Sequence, residues 1–186
     1  MARLKPLPTI WVVSDARNDT ALERVLARLP RGAGLVFRHY HLDTADRRAR
    51  FRTLLRLARA HGHVVAMSGD ARTARRWGAD AAYGNAVDLA RGPALPRLVT
   101  VHSLHEIGKA RRADALLLSP AFATRSHPGG QALGPVRFRL LAARSRAAVI
   151  ALGGMNRNSA RRLDWPRWAA IDAFCGKANR RISKDS

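Results

Sequence analysis

The stretch that decides the fold is HVVAMSGDARTARRWGADAAYG, residues 63–84. It begins with a short apolar run at His63–Ser68, continues into a helical pattern at Ala71–Trp77 and returns to an apolar run at Ala81–Gly84. Consecutive apolar residues, as in Val64–Met67, are typical of a parallel strand that is covered on both faces. The stretch therefore predicts a strand–helix–strand unit of an α/β fold.

The same alternation continues in both directions along the chain. The eight predicted strands are Thr9–Asp15, Gly34–Tyr40, His63–Ser68, Ala81–Gly84, Arg97–Ser103, Ala115–Phe122, Ala147–Gly153 and Trp168–Cys175. The predicted helices are Thr20–Leu29, Thr44–His61, Ala71–Trp77, Leu104–Arg112, Val136–Ser145 and Asn158–Leu163. The connection Val87–Pro96 contains a glycine and two prolines and predicts a turn or a broken helix.

Eight strands alternating with helices predict a compact (β/α)8 TIM barrel, with an open doubly wound sheet as the alternative. The chain is short for such a barrel, which usually has about 250 residues. Only the polar, basic segment 176–186 follows the last predicted strand. We therefore expect the eighth helix to be short or missing.

Length and composition fit one barrel domain spanning residues 1–186. Hydrophobic residues make up 47% of the chain and charged residues 25%, which excludes a disordered or collagen-like protein. The apolar run Ile10–Val13 is too short for a secretory signal or a membrane span. The single cysteine, Cys175, excludes an internal disulfide, so we expect a cytoplasmic protein without a membrane partner.

The net charge is strongly basic, +21 from 34 basic and 13 acidic residues, and 30 of the 34 are arginine. A protein that coats polyphosphate usually carries both cations, so this excess of arginine partly indicates biased codon usage. Arg48, Arg52, Arg56 and Arg59 lie opposite the apolar positions of the second predicted helix, as on a solvated outer face or, alternatively, a phosphate-binding face. Aromatic residues make up 6% and no recognised module is present, so we do not expect a nucleic-acid partner.

In a TIM barrel, the residues that follow the strands carry the chemistry. Arg38 follows an apolar run and needs a negative partner, either a bound anion or Asp15. The segment 124–130 contains hydroxyl groups and ends in two glycines, as a flap over a phosphate requires, and Gly153 and Gly154 allow a close approach of backbone amides. These patterns predict a phosphate site at the mouth of the barrel.

Five runs, in order and spacing, resemble the thiamine-phosphate synthase and thiazole tautomerase family over about residues 9–175. The runs are Ile10–Asp15, Gly78–Asp80, Val99–Ser103, Ser119–Ser126 and Ala151–Met155. The resemblance implies a barrel that joins a hydroxymethylpyrimidine diphosphate to a thiazole phosphate in thiamine biosynthesis and releases pyrophosphate with Mg²⁺. Such a transferase needs cationic and hydroxyl donors for the leaving group, a metal ion and a second phosphate pocket.

The resemblance also implies roles for individual residues. Arg38 matches an arginine that binds the pyrophosphate, Thr100 matches a pyrophosphate-binding serine, and Asp88 matches a magnesium-binding aspartate. Thr124 and Ser126 match the two hydroxyls of the thiazole-phosphate loop. The implied substrate-binding and phosphate-binding set is Arg38, Tyr40, Thr100, Thr124, Ser126, Gly153, Gly154 and Asp172. The implied catalytic set is Arg38, Thr100 and His127.

Several positions depart from the family pattern. Tyr40 and His127 replace two lysines, so two fixed positive charges are removed or made dependent on pH. Asp172 replaces a phosphate-binding serine, and its carboxylate would repel a phosphate. The histidine of the tautomerase branch would lie at Pro120.

The implied magnesium site is also incomplete. Ser68 and Gly69 stand where the family has asparagine and aspartate, which leaves the carboxylate of Asp88 alone unless Asp70 takes the second place. A charge-assisted hydrogen bond contributes about 1.5–3 kcal/mol, so each missing charged group weakens substrate binding by a similar amount.

These departures leave two hypotheses within the family: a synthase of reduced activity, or a non-catalytic barrel that binds a phosphorylated heterocycle. Both expect small phosphorylated heterocycles as ligands, and both allow a homodimer. A metal-dependent hydrolase is a further alternative, with His39 and His41 as ligands beside His102 and Asp172. Against it, the alternation of a strand places His39 and His41 on the face opposite Arg38.

Overall fold

A computed structural model describes residues 6–124 and 131–174 of the protein. Eight parallel strands form a closed barrel in chain order. The strands are β1 Ile10–Val13, β2 Gly34–Phe37, β3 Val64–Ser68, β4 Ala81–Gly84, β5 Arg97–Val101, β6 Ala115–Leu118, β7 Ala148–Ala151 and β8 Trp168–Ala170. The helices are α1 Leu22–Arg28, preceded by a 3₁₀ turn at Asp19–Ala21, α2 Thr44–Ala60, α3 Ala71–Trp77, α4 Leu104–Lys109, α5 Gly134–Ala142 and α6 Arg157–Leu163.

The barrel closes where β1 pairs with β8, in the register Trp11↔Ala169. Closure confirms the predicted TIM barrel, and the open doubly wound sheet is wrong. It also brings the C-terminal ends of all the strands to one rim, where side chains far apart in sequence meet.

Most strands are shorter than predicted at their C-terminal ends. The prediction continued β2 to Tyr40, but the strand ends at Phe37, and His39 has a φ of 43°. Likewise β6 ends at Leu118 rather than at Phe122. Beyond these strand ends, the backbone N–H of Arg38 donates to the hydroxyl of Ser14, and that of Ala121 donates to the carbonyl of Leu152. These segments therefore belong to the rim of the barrel.

Two apolar layers stabilise the barrel. Trp11, Val36, Tyr83, Leu98 and Ile150 are among the buried side chains that fill the interior. A second cluster fills the space between the strands and the surrounding helices. Burial on both faces explains why the strands read as continuous apolar runs.

The longest helix, α2, shows how the helices attach to the barrel. The side chain of Asp43 caps its N-terminus by accepting a hydrogen bond from the backbone N–H of Asp46 at 2.9 Å. Its apolar stripe is buried, as predicted: Phe51, Leu54, Leu55 and Ala58. The opposite arginines, Arg48, Arg52, Arg56 and Arg59, are exposed.

Between β4 and β5 the chain forms no helix, in agreement with the predicted turn. The buried side chain of Arg97 organises this connection. Its guanidinium donates hydrogen bonds to the carbonyls of Leu89 at 2.7 Å and Leu95 at 3.2 Å. One cation thereby satisfies backbone groups that a helix would otherwise satisfy.

Two predictions fall on residues that the structure does not describe. The basic segment 176–186, where the eighth helix was expected to be short or missing, and Cys175 both lie outside the described ranges. Among the helices at residues 6–124 and 131–174, none combines the length and apolar character needed to span a bilayer.

Candidate functional site

A cavity of about 340 Å³ opens at the C-terminal rim of the barrel. Its wall contains residues that follow β2, β6, β7 and β8 in sequence or lie at the ends of these strands. Five of the predicted site residues line it: Arg38, Thr124, Gly153, Gly154 and Asp172. The rim thus gathers into one space groups that the sequence predicted to share a pocket, and we expect ligands there.

The position of Arg38 is fixed by its neighbours. Its backbone N–H donates to the hydroxyl of Ser14 at 2.7 Å, and its Nε donates to the carbonyl of Ser14 at 3.1 Å. Its Nη2 lies 2.6 Å from Oδ2 of Asp15. The sequence allowed either an anion or Asp15 as the partner, and the structure shows the ion pair.

A second arginine supports the backbone of Arg38. Arg47, on α2, donates hydrogen bonds to the carbonyls of Arg38 at 2.8 Å and Ser68 at 2.6 Å. Its guanidinium also lies 5.5 Å from the centre of the Phe37 ring. Burial lowers the pKa of Arg47 below its ordinary value. The guanidinium stays cationic, because the ordinary pKa of arginine is far above neutral pH. No local signal in the sequence marks this support, since Arg47 is one of many arginines on α2.

The charges around Arg38 alternate. Asp15 also accepts a bond from Nε of Arg17 at 2.9 Å, and Nη1 of Arg17 lies 3.4 Å from Asp172. Burial opposes ionisation of Asp15, but the hydrogen bonds and charge of Arg17 and the charge of Arg38 together hold its pKa below the ordinary value. We call these four residues, Asp15, Arg17, Arg38 and Asp172, the charged side of the cavity: Arg38 and Asp172 line it, and Asp15 and Arg17 pair with them. Its two cations and two carboxylates balance formally.

A second part of the cavity wall contains two glycines in succession. Gly153 and Gly154 have φ values of 90° and 61°, which favour glycine. A Cβ on Gly154 would lie 2.4 Å from the carbonyl oxygen of Ala123, so the loop after β6 leaves no room for a side chain. We call these two glycines with Thr124 the glycine side of the cavity. The close backbone packing is itself a reason for both glycines, besides any bound phosphate.

Other predicted site residues lie beyond this cavity. Tyr40 is 67% exposed, and its hydroxyl hydrogen-bonds to that of Ser68, although its ring centre lies 5.9 Å from the guanidinium carbon of Arg38. Thr100, on β5, is beside the buried Tyr83. Burial raises the pKa of Tyr83, whereas Thr100 and Arg38 oppose that shift. Ser126 and His127 lie outside the described residues, so their predicted roles stay predictions.

The chain matches a family model described as thiamine monophosphate synthase over residues 10–165. The chain belongs to this family. That match covers the first seven strands and all six described helices. It confirms the family resemblance that the five sequence runs indicated. No curated protein sequence matches the chain significantly.

Solved structures support the fold of the thiamine monophosphate synthase family. A thiamine phosphate pyrophosphorylase from Pyrococcus furiosus is 22% identical, with a TM-score of 0.74 over 90% of this chain and 86% of that chain. A thiamine phosphate pyrophosphorylase from Bacteroides thetaiotaomicron is 14% identical, with a TM-score of 0.60 over 96% and 89%. An HpcH/Hpal aldolase/citrate lyase family protein from Burkholderia cenocepacia is 16% identical, with a TM-score of 0.63 over 90% of each chain. At these identities the likeness establishes the barrel alone.

The described residues do not build the paired carboxylates expected for Mg²⁺ in this family member. The carboxylate of Asp70 caps α3 and accepts bonds from the backbone N–H groups of Arg72 and Thr73 and from the Thr73 hydroxyl, at 2.8–2.9 Å. That of Asp88 accepts a bond from the side-chain amide of Asn85 at 2.7 Å. Within residues 6–124 and 131–174, neither aspartate belongs to a cluster of three metal-ligating side chains. Asp70 therefore acts as a helix cap, and the set does not fit a preformed magnesium site.

The hydrolase alternative also lacks its ligand set. Asp172 pairs with Arg17, and Nδ1 of His102 lies 2.9 Å from the carbonyl oxygen of Ser119. The rings of His39 and His41 do lie together, with their centres 5.2 Å apart. Among the described residues their acidic neighbour is Asp19 rather than Asp172. The predicted combination with His102 and Asp172 is therefore wrong, since His39 and His41 cluster with Asp19 and, of the four, Asp172 alone lines the rim cavity.

Proposed function

We propose that this member of the thiamine monophosphate synthase family binds a thiazole phosphate and a hydroxymethylpyrimidine diphosphate at the barrel rim and joins them with release of pyrophosphate. The observation that carries the proposal is the shared cavity, which Arg38, Thr124, Gly153 and Gly154 all line. A cation, a hydroxyl and closely approached backbone are the groups that bind phosphate esters.

The proposed reaction breaks the bond between the pyrimidine methylene carbon and the pyrophosphate oxygen, which leaves with the electron pair. The thiazole nitrogen donates its lone pair to the same carbon and forms the new C–N bond. The step needs no proton transfer, so the protein's task is to orient two substrates and stabilise the charge on the leaving group. Arg38 is the group for that task, since Ser14 and Arg47 already fix its backbone.

The charged side lowers the expected rate. Arg38 must share its positive charge between the pyrophosphate and Asp15, which lies 2.6 Å away. Asp172 places a carboxylate in the wall of the cavity itself. Since no preformed magnesium site compensates among the described residues, we propose turnover that is slow for a synthase.

One specific observation favours a second function, a barrel that binds a phosphorylated heterocycle without catalysis. The carboxylate of Asp70, the one residue that could replace the missing magnesium ligand, is held by three hydrogen bonds of the α3 cap. A capping role of this kind stabilises the helix and competes with metal binding.

A turnover assay separates the two functions. The full-length protein is incubated at high concentration with both substrates and Mg²⁺, and product is measured by mass spectrometry for wild type, Arg38→Ala and Arg56→Ala. Arg56 lies exposed on the outer face of α2, so its variant controls for the loss of one positive charge.

Product from wild type and Arg56→Ala, with at least a tenfold loss in Arg38→Ala, would support the synthase. Calorimetry that detects thiazole phosphate binding without any product would support the non-catalytic barrel. If neither product nor binding is found, or if Arg38→Ala behaves as wild type, the rim cavity is not the site.

A further inference from the structure

A second group of polar side chains lies outside the cavity, on the other face of the segment that carries Arg38. It consists of Asp19 in the 3₁₀ turn and of His39 and His41 after β2. One ligand atom from each of the three residues lies within 4.8 Å of those of the other two. Nothing in the proposed transferase step uses these residues.

His39 is held rigidly in this group. Its side chain is fully buried and stacks on the ring of Phe37, with 4.5 Å between the ring centres. Its Nδ1 lies 2.8 Å from the hydroxyl of Ser14, and its Nε2 lies 2.7 Å from Oδ1 of Asp19. Histidines that bind metals in proteins are oriented in the same way, by a hydrogen bond at the ring nitrogen that does not bind the ion.

The other two members have donor atoms to spare. Among the described residues, nothing donates a hydrogen bond to Oδ2 of Asp19, and neither ring nitrogen of the exposed His41 has a hydrogen-bond partner. Nε of Arg50 bonds Oδ1 of Asp19 at 2.7 Å, and its guanidinium also pairs with Glu23. The charge of Arg50 is therefore shared between two carboxylates, which reduces its opposition to a cation at Oδ2.

We propose that Asp19, His39 and His41 bind one divalent transition-metal ion of the kind that prefers imidazole, such as Zn²⁺, Co²⁺ or Ni²⁺. Two imidazoles and one carboxylate, with water in the remaining positions, form a donor set that these ions accept and that Mg²⁺ does not favour. Ligand atoms bound to one such ion lie about 3–4 Å apart, because each bond is about 2.0–2.2 Å long. The ligand atoms of the three residues lie within 4.8 Å of one another, and the exposed side chain of His41 can rotate to bring its nitrogen closer to the other two.

The protons balance without a change in the charge of His39. When Nε2 binds the ion, the ring proton lies on Nδ1 instead. The Ser14 hydroxyl then accepts from Nδ1 rather than donating to it, as either arrangement is open to a hydroxyl.

The site would join the loop after β1 to the end of β2, next to Arg38 in sequence and away from the rim cavity. The three proposed ligands take no part in the proposed transferase step, although the Ser14 hydroxyl contacts both His39 and the backbone of Arg38. Metal binding and turnover can therefore be tested separately.

The test titrates the full-length, untagged, metal-free protein with Zn²⁺ by calorimetry and with Co²⁺ by visible absorption. The variants are His41→Ala and Asp19→Asn, with His105→Ala as the matched control, since His105 is an exposed histidine on α4. We expect one ion per chain in the wild type and the control, a cobalt spectrum typical of nitrogen ligation, and at least tenfold weaker binding in both site variants. Excess Mg²⁺ should not displace the ion.

His41 is exposed, so His41→Ala is expected to fold, and its circular dichroism and melting temperature verify this. Equal binding by His41→Ala and wild type would overturn the proposal, as would no binding by wild type at 100-fold molar excess of Zn²⁺. In either case the Asp19–His39 contact is an ordinary structural hydrogen bond.

Discussion

The two walls of the rim cavity are built on different physical principles. On the charged side, Arg38 and Arg17 are held by Asp15 and Asp172, with the shortest distance at 2.6 Å. On the glycine side, the shape is set by backbone packing, and a Cβ on Gly154 would come within 2.4 Å of a carbonyl oxygen. The charged side should therefore respond to charge and pH, whereas the glycine side should respond only to added volume.

The largest effect that we expect is a loss of stability from a steric clash on the glycine side. Gly154→Ala should lower the free energy of unfolding by about 2–4 kcal/mol, because left-handed backbone strain adds to overpacking. Urea denaturation measures it. Gly134→Ala is the matched control: Gly134 has a similar φ of 66°, but a Cβ there meets nothing within 4 Å.

The control variant introduces backbone strain without overpacking, so Gly134→Ala should lower the free energy of unfolding by about 1 kcal/mol. Equal decreases in the two variants would show that the tight packing against the β6 loop does not shape the glycine side.

The next effect is electrostatic and concerns anion affinity. Asp15→Asn should raise the affinity for inorganic pyrophosphate about tenfold, because Arg38 no longer shares its charge with a carboxylate and one charge-assisted hydrogen bond is worth about 1.5–3 kcal/mol. Isothermal titration calorimetry in the absence of metal ions measures this affinity. Asp164→Asn also removes one negative charge, from a residue whose side chain is 90% exposed and does not line the rim cavity. It should leave the affinity unchanged, and a gain equal to that of Asp15→Asn would show an effect of net charge only.

A third effect separates the two sides by pH. Arg17 and Arg38 hold the pKa of Asp15 below its ordinary value of 3.8 despite partial burial. The stabilisation is therefore complete above about pH 4 and is lost as the pH falls through the lower folded-state value. The difference in unfolding free energy between wild type and Asp15→Asn should therefore shrink from pH 6 to pH 3. The loss of unfolding free energy in Gly154→Ala should stay constant over the same pH range. A parallel change in both variants would show that the charged side and the glycine side do not differ in their response to pH.

The weakest effect concerns Asp172. Its distance to Arg17 is 3.4 Å, and both side chains are 38% exposed. Asp172→Asn should change the unfolding free energy by less than about 0.5 kcal/mol, as is usual for an exposed ion pair. Removing this carboxylate from the cavity wall should raise phosphate affinity about twofold to threefold, since a screened like charge opposes an anion by about 0.5 kcal/mol. A decrease in affinity would instead show that Asp172 orients Arg17 toward the ligand.

The two walls also differ in how well the sequence predicts them. The glycine side is readable from the sequence, because two glycines directly after an apolar run are a local pattern. On the charged side, the sequence points to Arg38 without deciding its partner, and it gives no sign of Arg17 or of Arg47, which supports the backbone of Arg38. Both are ordinary members of a chain with 30 arginines, so no local signal distinguishes them.

Apolar periodicity and short motifs are properties of neighbouring residues, so the barrel and its family could be predicted before any coordinates were known. The sequence could not predict which polar groups meet in the folded protein. Asp15 pairs with Arg38, which lies 23 positions away, and Ser14 hydrogen-bonds to His39, which lies 25 positions away. Folding also turns Asp70 into a helix cap and places Asp19 beside two histidines. Coulomb and hydrogen-bond energies depend on distances in space, and these are fixed only when the strands close and their loops converge on one rim.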